Sequence, residues 1–108
     1  MKNMKVGILG AGDIASSFHL PAWQEIAKVE ITGICDIDTN KAKVLANIYK
    51  CNFYSSLSDM VQNEELDILD ICTPNTMHYQ HIKQSLNYGL HTLVEKPFVS
   101  TAKQAQEL

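Results

Sequence analysis

The amino-acid sequence predicts an α/β domain: a doubly wound parallel sheet in strand order 3-2-1-4-5, covered by helices in a three-layer αβα arrangement. Two observations carry this. Short, almost wholly apolar runs alternate with segments of helical period, and strands that are apolar on both faces belong to parallel sheets covered on both sides. The first apolar run also passes straight into a helical segment through a glycine-rich turn, the junction from which such sheets are wound.

Residues 6–9 are apolar, β-prone and bounded by Gly10, and they read as the first strand. A helix over 13–27 follows, with Ile14, Ala15, Phe18, Ala22 and Ile26 as its apolar stripe and a break near His19 and Leu20, because Pro21 must kink or interrupt it. Residues 29–35 form the second strand and end at Asp36; Asp38 or Thr39 then caps a helix through Tyr49, with Ala42, Leu45, Ala46 and Ile48 facing inward. Phe53 and Tyr54 make a short third strand, residues 58–63 a brief helix, and residues 67–72 a fourth strand stopped by Thr73, Pro74 and Asn75. In the helix over 77–87, Ile82 and Leu86 lie four apart, and Gly89 is placed to end it. Residues 90–94 are the fifth strand, after which Ser100 or Thr101 can cap a last helix.

A chain of 108 residues is one domain, large enough to bury a core. Its net charge of -3, with its nine lysines scattered rather than clustered, excludes the electrostatic footprint of a nucleic-acid binder. No apolar stretch is long enough to cross a bilayer, and no secretory leader pattern is present, so a cytoplasmic location and no membrane partner are expected. Cys35, Cys51 and Cys72 form no CxxC pair and are odd in number, which fits a reducing compartment. Two of them lie in strand-like runs, where a thiol is usually a small buried hydrophobe.

The chemistry begins at Gly10, Ala11, Gly12, Asp13, Ile14 and Ala15, which spell G-x-G-x-x-A between a strand and a helix. Gly10 permits the tight turn, Gly12 lets a pyrophosphate approach the backbone, and Ala15 lets the helix pack closely on the strand. The helix start adds N–H groups and a positive dipole end. By itself the motif is also compatible with a tight turn that binds nothing. The acid Asp36 ends the second strand 21 residues after Ala15, near the spacing of a carboxylate that accepts from the adenosine ribose. Together they predict a Rossmann-type domain binding a nicotinamide dinucleotide. Asp36 would repel the extra phosphate of NADP, and neither Ile37 nor Asp38 supplies an arginine to receive it, so NAD is preferred even with Lys41 and Lys43 nearby.

Ligands of doubly wound sheets lie beyond the carboxyl ends of the strands. That brings Thr73, Pro74, Asn75 and Thr76 after strand four, and Glu95, Lys96 and Pro97 after strand five, to the nicotinamide side, with Asn75, His78 and Lys96 nearest it. On the glycine turn, Asp36, the stretch Cys72–Thr73–Pro74–Asn75 through His78, the approach from Gly89 to His91, and the tripeptide Glu95–Lys96–Pro97, the chain resembles the Gfo/Idh/MocA oxidoreductases. These features span nearly the whole chain in the family's order.

The resemblance implies hydride transfer between NAD(P) and a hydroxyl-bearing carbon of a sugar, cyclitol or similar small molecule. It makes Lys96 the active-site lysine, stabilising the alkoxide character that develops as hydride leaves. It has Pro97 fix the backbone that aims Lys96, Glu95 hold the lysine or contact the nicotinamide ribose, and Asn75 and His78 line the nicotinamide side. His78 can equally be a first-turn helix residue, and His78 with His81 lacks a third ligand, so no metal is expected. His19 and His91 read as structural or exposed, and Phe18 and Trp23 as core.

The resemblance also implies a second, larger domain that forms the substrate pocket, supplies further catalytic groups and mediates oligomerisation. These 108 residues do not hold it, so residues 1–108 are expected to be a C-terminally truncated cofactor domain that binds NAD, turns over substrate poorly if at all, and self-associates through uncovered apolar surface. The alternative is a non-catalytic NAD-binding sensor, since fold does not fix function; a cation at the nicotinamide end favours the enzyme.

Overall fold

The computed structural model describes residues 3–94. Five parallel strands, β1 (Met4–Leu9), β2 (Val29–Cys35), β3 (Asn52–Tyr54), β4 (Ile68–Ile71) and β5 (His91–Val94), form one sheet in the order β3-β2-β1-β4-β5, as expected from the sequence. Glu95, Lys96, Pro97 and the helix expected after Ser100 lie outside the described residues.

Each covered face has its own core. Strand alternation sends Val6 and Ile8 to one side of β1 and Leu9 to the other. On the first side Val6, Ile8 and Ile34 pack with Ala15, Leu20, Ala42, Leu45 and Ala46; on the second, Leu9, Cys35, Leu69 and Ile71 pack with Met60 and Ile82. Each fully buried Ile or Leu contributes roughly 1.5–3 kcal/mol, so the apolar strands hold the sheet between two helical layers.

The helix after the glycine turn, α1, departs from the sequence expectation. It is helical from Asp13, π-helical over Ala15–His19 and α-helical over Leu20–Gln24, with Pro21 in the first turn of the α-helical part. The expected break near His19 and Leu20 is therefore a widened turn. Proline has no N–H to donate and its ring crowds the carbonyl a turn earlier, which a wider turn relieves. The extra residue in that turn changes which side chains face the sheet: Ala15, His19 and Leu20 turn inward, while Phe18 is 70% exposed rather than in the core. Ile14, Ala22 and Ile26 are not in the core either, and the helix ends at Gln24, three residues early. Trp23 packs against the core as expected.

The other helices follow their caps. Asp38 is the N-cap of α2 (Thr39–Tyr49), its side chain accepting from the N–H groups of Asn40 and Lys41. Ile48, expected inside, is exposed. Ser56 caps the short α3 (Leu57–Asn63). A 3₁₀ turn, Asn75–Met77, leads into α4 (His78–Asn87). Gly89 ends α4 at φ 75°: its N–H donates to the Leu86 carbonyl at 3.0 Å, and that of Leu90 to the Ser85 carbonyl at 3.1 Å, closing a Schellman motif. Ile82 faces the core, but Leu86 is exposed.

The winding direction reverses at β1, which lies between β2 and β4. Chains leaving β1, β2 and β4 at their carboxyl ends diverge there and leave a crevice.

Candidate functional site

The crevice is built around two glycines with different physical jobs. Gly10 has φ 103°, and a Cβ on it would lie 2.8 Å from the carbonyl carbon and oxygen of Cys72. The fold itself therefore needs glycine there. Its N–H donates to the Cys35 carbonyl at 2.7 Å, and the Cys72 N–H donates to the Leu9 carbonyl at 2.7 Å, so the exits of β2 and β4 are tied to that of β1. Gly12 has no such need: a Cβ there would meet no atom of the described residues within 4 Å. It keeps a backbone surface bare at the start of α1, where the leading N–H groups have no carbonyl a turn earlier to donate to. Ala15 is fully buried, where a larger side chain would push the helix off the sheet.

Asp36 stands at the exit of β2 and braces this turn. Its Oδ2 accepts from the Ala11 N–H at 2.7 Å and its Oδ1 from the Asp38 N–H at 2.8 Å. An ionised carboxylate offers about four acceptor positions, so each oxygen keeps capacity for a further donor such as a ribose hydroxyl. Next to it Ile37 is 95% exposed, an apolar side chain at the mouth of the crevice. Gly10, Ala11, Gly12, Asp13, Ile14 and Asp36 are thus brought together at one end of the sheet.

Across β1, Thr73, Pro74 and Asn75 leave β4 beside the glycine turn; the Thr73 nitrogen would lie 3.0 Å from a Cβ on Gly10. His78 is buried, and its Nε2–H donates to the Thr73 carbonyl at 2.9 Å. The ring secures the loop rather than standing open in the crevice. His81 also reaches Thr73, its Nδ1 lying 2.8 Å from the hydroxyl. Burial, and then the neighbouring His78, hold the His81 imidazole below its ordinary value of 6.5. Val94 stands opposite Ile71 in the parallel register, so β5 leaves the sheet beside β4. The residues expected to follow it, Glu95, Lys96 and Pro97, lie outside the described residues.

One network was not foreseen. Asp70 is fully buried in β4. Its Oδ2 accepts from His19 Nδ1–H at 2.7 Å and from the Trp23 indole N–H at 2.8 Å, and the Cys72 thiol lies 3.7 Å from Oδ1. His19 and Trp23 are four apart on α1, so one carboxylate anchors two turns of that helix to β4. The signal was a charged residue inside an apolar strand, since a buried carboxylate needs donors. His19, Asp70 and Cys72 bring possible metal ligands within 4.8 Å of one another. Ligands of a tetrahedral zinc ion sit roughly 3.3 Å apart, and the closer His19–Asp70 contact is that of a hydrogen bond.

The arrangement can hold an extended ligand with a diphosphate at the start of α1, a hydroxylated ring at Asp36 and a second group against the β4 exit. The model of the oxidoreductase family with an NAD-binding Rossmann fold, GFO_IDH_MocA, matches residues 4–108. The chain is 30% identical over 106 residues to D-glucoside 3-dehydrogenase of Escherichia coli (strain K12), an alignment covering 97% of this chain and 30% of that protein. Among solved structures, KijD10, a 3-ketoreductase from Actinomadura kijaniata in complex with NADP and TDP-benzene, superposes with a TM-score of 0.91 at 25% identity, over 98% of this chain and 33% of that one. The WlbA dehydrogenase from Chromobacterium violaceum, in complex with NADH and UDP-GlcNAcA, superposes with a TM-score of 0.92 at 26% identity, over 99% of this chain and 31% of that one. The chain thus spans about a third of the length of the relatives it matches. By fold, crevice and family match, it belongs to the Gfo/Idh/MocA oxidoreductases, as their NAD-binding Rossmann-fold part.

Proposed function

We propose that this chain is the cofactor-holding part of a dehydrogenase or reductase that moves hydride between NAD(H) and a hydroxyl-bearing carbon of a sugar, cyclitol or related small molecule. The observation that carries it is the pair Gly12 and Asp36. Among the described residues a Cβ on Gly12 would meet nothing within 4 Å, so the bare backbone is explained by a ligand; Asp36, tied to the same turn through Ala11, keeps acceptor capacity toward a ribose. The nicotinamide, when bound, supplies the hydride donor or acceptor. The amides at the start of α1 bind the diphosphate, Asp36 orients the adenosine, and the Thr73–Pro74–Asn75 backbone borders the second nucleotide. Lys96 hydrogen-bonds the substrate oxygen and stabilises its developing negative charge, with Glu95 and Pro97 setting the lysine's placement.

A negative carboxylate at Asp36 disfavours the 2′-phosphate of NADP, so NAD is the preferred cofactor. The two relatives above were solved with NADP and with NADH, so calorimetric titration with both reduced forms is the deciding experiment. NADH is expected to bind at least about tenfold more tightly than NADPH, a difference of about 1.4 kcal/mol. Equal affinities would refute the preference, and binding of neither would refute the function. Because the chain matches about a third of its relatives' length, turnover by these residues alone is expected to be slight; substantial oxidation of polyols or sugars by the isolated chain would overturn that expectation.

A further inference from the structure

We infer that His81 is a positioning residue for the nicotinamide side of the crevice, acting through Thr73 to hold the exit of β4 in place. This rests on the dinucleotide reading above and adds to it a residue that has no place in the crevice itself.

Thr73 is held from two sides by one helix. His78 donates from Nε2 to its carbonyl at 2.9 Å, and His81 Nδ1 meets its hydroxyl at 2.8 Å. The two histidines are three apart on α4 and so share a helix face one turn deep. One bond grips the main chain and the other the side chain, so the residue can neither slide along the helix nor rotate about its own backbone without losing one of them. Pro74 removes further freedom, because the residue before a proline is confined to extended conformations. The 3₁₀ turn beyond it is closed by the Met77 N–H donating to the Pro74 carbonyl at 2.8 Å.

The position matters because of what Thr73 faces. Its backbone nitrogen and the Cys72 carbonyl form the wall against which Gly10 turns, close enough that no Cβ fits between them. Asp36 stands on the opposite flank of β1. A diphosphate on the glycine turn with its adenosine at Asp36 must send its other nucleotide across β1 toward Thr73. A shift of that wall by a fraction of an ångström changes the width of the nicotinamide half and leaves the adenosine half alone.

The His81 imidazole is half-buried and held below its ordinary value by burial and by His78. At neutral pH it is therefore uncharged, and its Nδ1 can accept a hydrogen bond from the Thr73 hydroxyl.

Two ligands separate a positioning role from a general loss of structure. NADH reports both halves of the crevice; ADP-ribose carries the adenosine and diphosphate and lacks the nicotinamide. In calorimetric titrations, His81→Phe is expected to weaken NADH by about five- to tenfold, the worth of one net hydrogen bond, and to leave ADP-ribose within about twofold. His81→Gln, which keeps a polar group able to reach Thr73, is expected to recover most of the loss. Thr73→Val, of nearly the same shape, should reproduce the selective loss without altering α4, and serves where His81→Phe does not fold. An equal loss for both ligands, no loss for either, or a glutamine variant as weak as the phenylalanine one would overturn the inference. If the unaltered chain binds ADP-ribose and NADH normally and the variants do so as well, only the positioning role fails. Failure of the unaltered chain to bind either ligand removes the dinucleotide reading, and this inference with it.

Discussion

Gly10 and Gly12 carry the same side chain for opposite reasons, and substitution separates them. At Gly10 a Cβ would meet the Cys72 main chain at 2.8 Å with φ already at 103°, so Gly10→Ala must both strain the turn and push two strand exits apart. It is expected to destabilise by about 2 kcal/mol or more in urea denaturation. Gly12→Ala has open space around it among the described residues and is expected to unfold within about 0.5 kcal/mol of the parent while losing measurable NADH affinity. A Gly12→Ala chain that binds NADH normally would remove the strongest support for the ligand site. Asp36→Ala loses both acceptors of the Ala11 and Asp38 amides; a fall of about tenfold or more in NADH affinity is expected, with less change for NADPH if the proposed NAD preference holds. The glycines and the acid were legible from their spacing between two elements, because motif and context coincide. His81 was not legible as a partner of Thr73: two residues eight apart meet only once a 3₁₀ turn and a helix start have brought the chain back on itself.

At the scale of the element, α1 shows how a single residue changes what a helix presents. A regular 3.6-residue period puts Phe18 on the apolar stripe, but the π turn ahead of Pro21 carries it to solvent and brings His19 and Leu20 inward. Proline could be read from the sequence as an obstacle; whether the chain breaks, kinks or widens there depends on which packing rescues the next turn. Here Asp70 does, by accepting from His19 and Trp23. Asp70→Ala takes a shared acceptor from both donors and is expected to cost about 2–4 kcal/mol of stability by chemical denaturation. A change within about 0.5 kcal/mol would mean that the network contributes little to anchoring α1. The ends of α2 and α4 were easier to foresee, since Asp38 and Gly89 act through local geometry. Ile48 and Leu86 fell outside because a helix on one face of a sheet buries a narrow stripe, and neither lies within it.

For the whole molecule, the surface of the described residues leaves an apolar region without cover. Phe18, Ala22, Trp23, Ile26 and Leu93, with His19, line a hollow of about 370 Å³. Such a surface favours association, so sedimentation or light scattering at high concentration is expected to show self-association that Phe18→Ser reduces; a strictly monomeric parent would contradict this. Stability should also depend on pH through His81. Its folded value is below the ordinary 6.5, so the unfolded chain takes up the proton first and binds more protons as pH falls below that value. Stability is therefore full above about 6.5, declines as pH drops toward the folded value, and levels off beneath it. His81→Gln is expected to flatten this part of the profile. Burial, with Asp36 adding to it, pushes the Cys35 thiol up to about 11, and burial with Glu64 does the same for Cys51; both should react slowly with a thiol reagent at pH 8 in the folded chain.

The alternation of apolar runs with helical periods, the caps and the glycine turn were enough to specify a doubly wound parallel sheet and the end of it at which a dinucleotide is expected. These are local signals, written in residues close together in the chain. The pairing of Asp70 with His19 and Trp23, the two-sided grip on Thr73 and the outward face of Phe18 emerged only with the packed molecule. Each depends on distances between segments that no spacing encodes: the burial of a charge is settled by which donors the neighbouring element happens to bring within reach.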